Sequence, residues 1–296
     1  MINGIVNVYK EKGYTSHDVV AKLRGILHQK KIGHTGTLDP EAEGVLPVCL
    51  GKGTRLCDML TDEHKTYVAG LYLGITTDTQ DMTGKVLEER SLEGITGNQV
   101  REVIRSFLGS QLQVPPMYSA RKVNGKKLYE LAREGKEVER EARPVTFFEI
   151  RILDMDLPRV QMEVCCSKGT YIRTLCHDIG QKLGCGGTME TLKRTRVGRF
   201  SIEESMTLDR IAKAGDCSFV HSVEEMFQQL KKVSVPERLD KALYNGNTFC
   251  YKANLENQEQ VRVYSSKEEF IGIYRYEKEY GSFHIVKMFY PCPMIS

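Results

Sequence analysis

Paired cysteine spacing is missing from this sequence. Nine cysteines are spread over 296 residues, no C-x-x-C occurs, and Cys165 and Cys166 are adjacent. An odd, unpaired set excludes a disulfide framework and a paired-ligand zinc site, and it leaves the thiols as reduced, mostly buried small side chains. The opening stretch MINGIVNVYKEKG lacks the apolar segment of an export signal, so a cytoplasmic protein is expected. No apolar run reaches the length of a membrane span. There is no G-x-x-x-x-G-K-[ST], and no G-x-G-x-x-G follows a strand pattern, which removes the common nucleotide-cofactor motifs. His34 and Asp39 have hydroxyls nearby but no nucleophile elbow, which removes a hydrolytic triad.

What is present is globular composition, with 41% hydrophobic and 27% charged residues and a net charge of +3. A real core is feasible in one large domain or in a large domain plus a small one. The mild positive charge permits a polyanionic partner without requiring one, because a local patch matters more than the total.

Thr15-Ser16-His17-Asp18 reads as a capping box. It precedes Val19, Val20, Leu23, Ile26 and Leu27 at helical spacing. YVAGLYLG (67–74) has strand character and DTQDMTG (78–84) is a turn-rich connection. NQVREVIRSFLG (98–109) predicts an amphipathic helix capped by Asn98 and ended by Gly109. The segment 114–144 opens with two prolines and is dense in charge, so a projecting loop with one short helix near 126–134 is expected. VTFFEIRIL and RVQMEVCCS read as strands. Ile172, Leu175, Cys176, Ile179 and Leu183 then restore helical spacing. Short strands with turn signals fill 237–296 and predict a small β-rich appended domain.

Three places could carry chemistry. The stretch KIGHTGTLDPEAEG (31–44) surrounds Asp39 with small and turn-forming residues. Asp39 is either a turn aspartate capping its own loop or a carboxylate displayed on a stiff loop that a ligand can approach closely. In SKGTYIRTLCHDIG (167–180), Arg173 falls off the apolar line of its helix. It is either a solvated charge or a guanidinium that holds a carboxylate such as Asp39 ionised and oriented. Tyr67 begins a strand and is either a packing ring or a surface on which a nucleobase stacks.

These segments also carry a resemblance. KIGHTGTLDPEAEGVLPVCLGKGTR, KTYVAGLYLGITTDTQDMTG, VPPMYSARKVNGKKLYELAREG, REARPVTF and SKGTYIRTLCHDIGQKLGCGG occur in this order. Together they resemble the blocks of the TruB-type tRNA pseudouridine synthases, over about residues 3–210. The final segment is similar to the PUA-type RNA-binding extension of many bacterial members.

The resemblance implies an α+β fold with a large mixed, mainly antiparallel sheet flanked by helices and a small β-rich PUA-like C-terminal domain. It divides the chain into a catalytic domain at 1–230, with an RNA-contacting insertion at about 114–144, and an RNA-binding domain at 237–296. The implied activity is isomerisation of uridine 55 to pseudouridine in the tRNA T-loop by base flipping, with no metal and no organic cofactor. Asp39 matches the catalytic aspartate, Arg173 the arginine paired with it, and Tyr67 the tyrosine that stacks on the target uracil. His34 matches a residue contacting RNA beside the flipped base, and Tyr171 and Leu192 match positions lining the base pocket. Lys10, Lys31, Arg55, Arg121 and Lys122 are expected RNA contacts. Arg55 stands where relatives often carry lysine, and Lys10 stands in YKEKG where they often carry Lys-Pro. The partner implied is the T-arm of tRNA, met by a monomer that needs neither a protein partner nor a membrane. Two alternatives stay open at this point: a non-catalytic RNA-binding or tRNA-folding protein, and a pseudouridine synthase acting on another RNA.

Overall fold

The computed structural model describes residues 1–123 and 125–290. Asn124, in the expected insertion, and 291–296, at the end of the expected C-terminal domain, lie outside the described residues.

A ten-stranded sheet organises most of the chain. Its strands run across the sheet in the order Val220–His221, Gly4–Lys10, Glu43–Leu50, Gly187–Val197, Lys65–Leu73, Arg159–Cys166, Arg143–Asp156 and Gly109–Gln113. Ile32–His34 pairs beside Glu43–Leu50, and Phe200–Ser201 beside Gly187–Val197. Every pairing is antiparallel except one: Gly187–Val197 runs parallel to Glu43–Leu50, with Lys193 opposite Glu43 and Arg194 opposite Gly44. That junction of two antiparallel blocks lies where the chain returns from the Asp39 loop.

Local signals set the helices that flank the sheet. Thr15 caps helix Ser16–Ile26 by accepting from the Asp18 N–H at 3.0 Å, while the Asp18 carboxylate accepts from the Thr15 N–H at 2.8 Å. This reciprocal box satisfies two otherwise orphaned donors. Helix Ile172–Leu183 ends at Gly184, which takes φ +79° as a left-handed cap. The helix expected at 98–109 spans Gly97–Arg105 and is capped by Thr96, not Asn98. Thr96 and Gln99 make a full capping box, which places Asn98 in the first turn. Gly109 does not end that helix; it opens the edge strand Gly109–Gln113. The segment 114–144 contains a two-strand ladder, Lys122–Val123 with Lys126–Lys127, and the helix Leu128–Arg133.

A second sheet of five strands orders Lys231–Ser234, Gln260–Tyr264, Phe270–Glu277, Ser282–Met288 and Phe249–Cys250. It shares a core with the large sheet. Tyr264, Phe270, Ile273 and Phe289 pack in one buried cluster with Ile5, Val45, Leu56 and Val197. Lys52 Nζ donates to the Tyr290 carbonyl at 3.0 Å, and the Arg55 guanidinium donates to the Met288 carbonyl. The two sheets are therefore fastened by an apolar seam with polar ties at its rim.

Candidate active site

The Asp39 loop links strand Ile32–His34 to strand Glu43–Leu50, and it is held at nearly every step. Thr35 donates to the Pro47 carbonyl through both its N–H and its hydroxyl, each at 3.1 Å. The Leu38 N–H donates to the Ser16 hydroxyl at 2.9 Å, and the Leu38 side chain is buried in the main core. Gly13 N–H donates to the Pro40 carbonyl at 2.9 Å, and Ala42 N–H to the Asp39 carbonyl at 3.1 Å. Gly44, where the loop rejoins the sheet, has φ +108°, and a Cβ there would sit 2.2 Å from the Arg194 carbonyl oxygen. Only glycine fits both that backbone angle and that close approach.

The loop delivers Asp39 to Arg173. Arg173 Nε lies 3.0 Å from Asp39 Oδ2, and Nη2 reaches Oδ1 at 3.4 Å, so the fork engages both carboxylate oxygens. The Arg173 side chain is only 7% exposed, whereas Asp39 keeps 39%, so the carboxylate is the more open member of the pair. The guanidinium is held from behind by the Tyr118 carbonyl at 2.9 Å, the Thr79 carbonyl at 3.2 Å and Asp81 Oδ2 at 3.6 Å. A carbonyl of the 114–144 segment thus touches the arginine that orients Asp39.

Asp81 is a site residue that the sequence reading left inside a turn. Its Oδ1 is fixed by the Thr79 hydroxyl at 2.8 Å, the Thr83 hydroxyl at 2.5 Å and the Thr83 N–H at 3.0 Å, which turns Oδ2 toward Arg173. The T-x-D-x-T spacing is the local signal for this cage.

The electrostatics of Asp39 depart from a simple ion pair. Burial raises its pKa above the ordinary aspartate value, Arg173 and Lys10 pull it down, and Asp81 pushes it further up. Desolvation wins, so the guanidinium orients the carboxylate more than it acidifies it.

Tyr67 is 8% exposed and packs in the same apolar cluster as Leu38, Ala42 and Leu192, itself 8% exposed. Burial raises its phenol pKa, and the positive charge of Arg194, opposite it on the neighbouring strand, counters the rise. Little of the Tyr67 ring is therefore open. Tyr171 caps the helix that carries Arg173. Its N–H donates to Gln113 Oε1 at 2.8 Å, and its carbonyl accepts from Gln113 Nε2 at 3.0 Å. Gln113, missed by the sequence reading, is the buried clamp on that helix start. His34 is half-buried at the head of the loop, its ring edge-on to His17 at 5.3 Å, and its Nδ1 is buried without a hydrogen-bond partner. Burial lowers its pKa, so the neutral ring is favoured.

One expected RNA contact is overturned. Lys10 is fully buried, and its ammonium donates to the carbonyls of Tyr14 at 2.7 Å, Pro40 at 3.0 Å and Glu11 at 3.1 Å. Burial lowers its pKa to about 8. It is an internal tie to the Asp39 loop and does not reach solvent. Arg55 is exposed, but its guanidinium is engaged by the Met288 carbonyl across the seam between the sheets. Lys31 and Lys122 are exposed and Arg121 is half-exposed.

A cleft of about 710 Å³ lies on the other face of the sheet from Tyr67, because Thr66 and Cys165 line it. Glu63, Glu149, Glu163 and Glu203 also line it, and that charge disfavours a phosphate backbone there.

The fold recurs in solved structures. The chain superposes on a solved "Crystal Structure of a Cbf5-Nop10-Gar1 Complex" with TM-score 0.71 and 28% identity, covering 97% of this chain and 85% of that one. It also superposes on a "Structure of H/ACA RNP bound to a substrate RNA containing 2'-deoxyuridine" with TM-score 0.70 and 25% identity, over 97% and 85% of the two chains. The class is that of the pseudouridylate synthases. Residues 24–172 match the family model "TruB family pseudouridylate synthase (N terminal domain)", and residues 173–242 match "tRNA pseudouridylate synthase B C-terminal domain". The chain is 51% identical to "tRNA pseudouridine synthase B" of Lachnoclostridium phytofermentans, over 97% of this chain and all of that relative. It is 48% identical to the protein of that name from Clostridium novyi, over 92% and 95% of the two. The chain belongs to the TruB family.

Proposed function

We propose that this protein isomerises uridine to pseudouridine in tRNA, at position 55 of the T-loop, with Asp39 as the catalytic carboxylate. The observation that carries the reading is the Asp39–Arg173 pair: a single oriented, partly exposed carboxylate on a loop whose Leu38 and Ala42 pack with Tyr67 and Leu192. A protein that only bound RNA would need no such pair.

The reaction breaks the C1′–N1 bond, turns the uracil over and joins C1′ to C5. No atom is added and no electron is lost, so the chemistry is met by protein groups alone. Positive charge grows at C1′ as the base departs, and a carboxylate beside the sugar stabilises it. The same carboxylate can attack C1′ or take the C2′ proton. Glycoside hydrolases commonly need a second carboxyl to protonate the leaving group or to activate water. Uracil leaves as a stabilised anion and water must stay out, so one aspartate suffices.

The base reaches Asp39 by leaving its stack, at a cost of a few kcal/mol. Tyr67, Tyr171 and Leu192 are the walls against which it is recovered, with His34 beside the flipped nucleotide. Because Tyr67 is nearly closed over, entry of the base widens the floor. Folded RNA is read by shape and backbone contacts, supplied here by Lys31, Arg121 and Lys122 and by the C-terminal 237–296 segment acting as a PUA-like module. The purified chain alone, given a T-arm transcript, is expected to form pseudouridine at position 55. If none forms there, or if it forms only with an added protein, the reading fails.

A further inference from the structure

The side chain of Arg194 is almost wholly buried yet has no acidic partner among the described residues. It is 1% exposed and is among the largest fully enclosed side chains. Its Nε donates to the Val45 carbonyl at 2.7 Å and its Nη2 to the Gly36 carbonyl at 3.2 Å. These two carbonyls flank the Asp39 loop, one on each side. Arg194 also sits opposite Tyr67 on the neighbouring strand, close enough for its positive charge to pull the phenol pKa down.

A buried guanidinium without a carboxylate is costly unless its donors are well satisfied. Lys10 and Lys65 lie close enough to act on it electrostatically, which adds like charge. A residue serving packing alone would be apolar here. What the guanidinium supplies, and an apolar side chain cannot, is a rigid planar fork that reaches several acceptors at once. Lysine has the charge and three N–H donors, as Lys10 shows, but they radiate from a single nitrogen and do not reproduce the flat, extended fork.

We propose that Arg194 is a positioning residue for the reaction: it pins both ends of the Asp39 loop and the Tyr67 ring to one strand, fixing carboxylate and base floor relative to each other. The same strand places Leu192 two residues earlier, against Ala69. One side chain thus sets the spacing of three elements around the reacting sugar. Asp39 itself takes its orientation from Arg173; Arg194 sets where the loop that carries Asp39 stands. The inference rests on the reading of the site as a pseudouridine-forming centre.

The test is Arg194→Lys, with Arg194→Gln as a second variant that gives up the charge. With enzyme saturating over tRNA, the single-turnover rate of Arg194→Lys should fall by about tenfold or more, since small misplacements of reacting groups are that expensive. Its tRNA Kd should stay within about threefold of the parent, because the residue touches no RNA. Amide hydrogen exchange across 36–45 should quicken in the same variant. A rate within about twofold of the parent, or a loss confined to Kd, would overturn the proposal. If Arg194→Gln does not fold, Arg194→Lys decides alone; if both fold with unchanged loop exchange, the pinning role is wrong. Absence of pseudouridine with the unaltered protein would instead overturn the functional reading, and the exchange measurement would still judge the pinning role.

Discussion

Arg173 and Asp39 are 134 residues apart in sequence, and their charged groups meet at 3.0 Å. The arginine is buried within the molecule and the aspartate is partly exposed. The arginine is held by two backbone carbonyls and a second aspartate before it touches the first. The pair is thus preorganised from the arginine side, and the carboxylate is the partner left free for a substrate.

Asp39→Asn is expected to abolish isomerisation while tRNA binding stays within about twofold, because the change is isosteric and removes only the charge. Tritium release from C5-labelled tRNA measures the first and filter binding the second. Substantial turnover by the variant would remove Asp39 from the catalytic role.

The acid limb of the pH–rate profile should lie above that of an ordinary aspartate, because burial raises the Asp39 pKa and the ionised form is the active one. Asp81 contributes to that rise. In Asp81→Asn the limb should therefore move to lower pH, while the plateau rate falls because Arg173 loses an anchor. Single-turnover rates across pH separate the two effects. A limb that stays put, or moves upward, contradicts the coupling.

Lys10→Met should destabilise the fold by about 1–3 kcal/mol, since three carbonyls lose a donor, and should leave the salt dependence of tRNA binding unchanged. Lys31→Met should do the reverse, reducing the salt slope with little effect on stability. The sign with pH also follows. Burial lowers Lys10 to about 8 from 10.5, so between those values the unfolded chain holds the extra proton and this group's contribution to stability rises with pH. Denaturant melts across that window should show a shallower rise in Lys10→Met. A change in salt slope in Lys10→Met would restore it as an RNA contact.

Tyr67→Phe should keep most activity, because the ring stays and only the hydroxyl is lost. Tyr67→Ala removes the floor and about 1–3 kcal/mol of base stacking, together with core packing among Leu38, Ala42 and Leu192. Single-turnover assays on protein checked for folding compare the two. Equal rates would exclude a stacking role.

The sequence by itself determined the elements and the blocks. Thr15 through Asp18 carries its own cap, the helix from Ile172 carries its apolar line and its glycine stop, and the alternating strands read correctly, because these features depend on neighbours a few residues away. The small residues around Asp39 marked a loop that a ligand could approach closely and left a turn aspartate equally open; only the resemblance pointed to a catalytic carboxylate. The cap of the Gly97–Arg105 helix was misplaced because two polar candidates, Thr96 and Asn98, stood two positions apart and only the paired Gln99 distinguishes them.

Tertiary structure alone decided which charges face water. Lys10 lies in a sequence that reads as surface, yet the fold closes three carbonyls around its ammonium. Asp81 looked like a turn residue until Arg173 arrived from 92 positions away. Arg194 carried no sequence signal, because its role exists only where a parallel strand pairing brings Gly36, Val45 and Tyr67 around one guanidinium. The physical reason is common to all three. Spacing along the chain fixes contacts within a turn or a strand pair, whereas the free energy of a charged side chain depends on which dipoles surround it once the sheet has assembled.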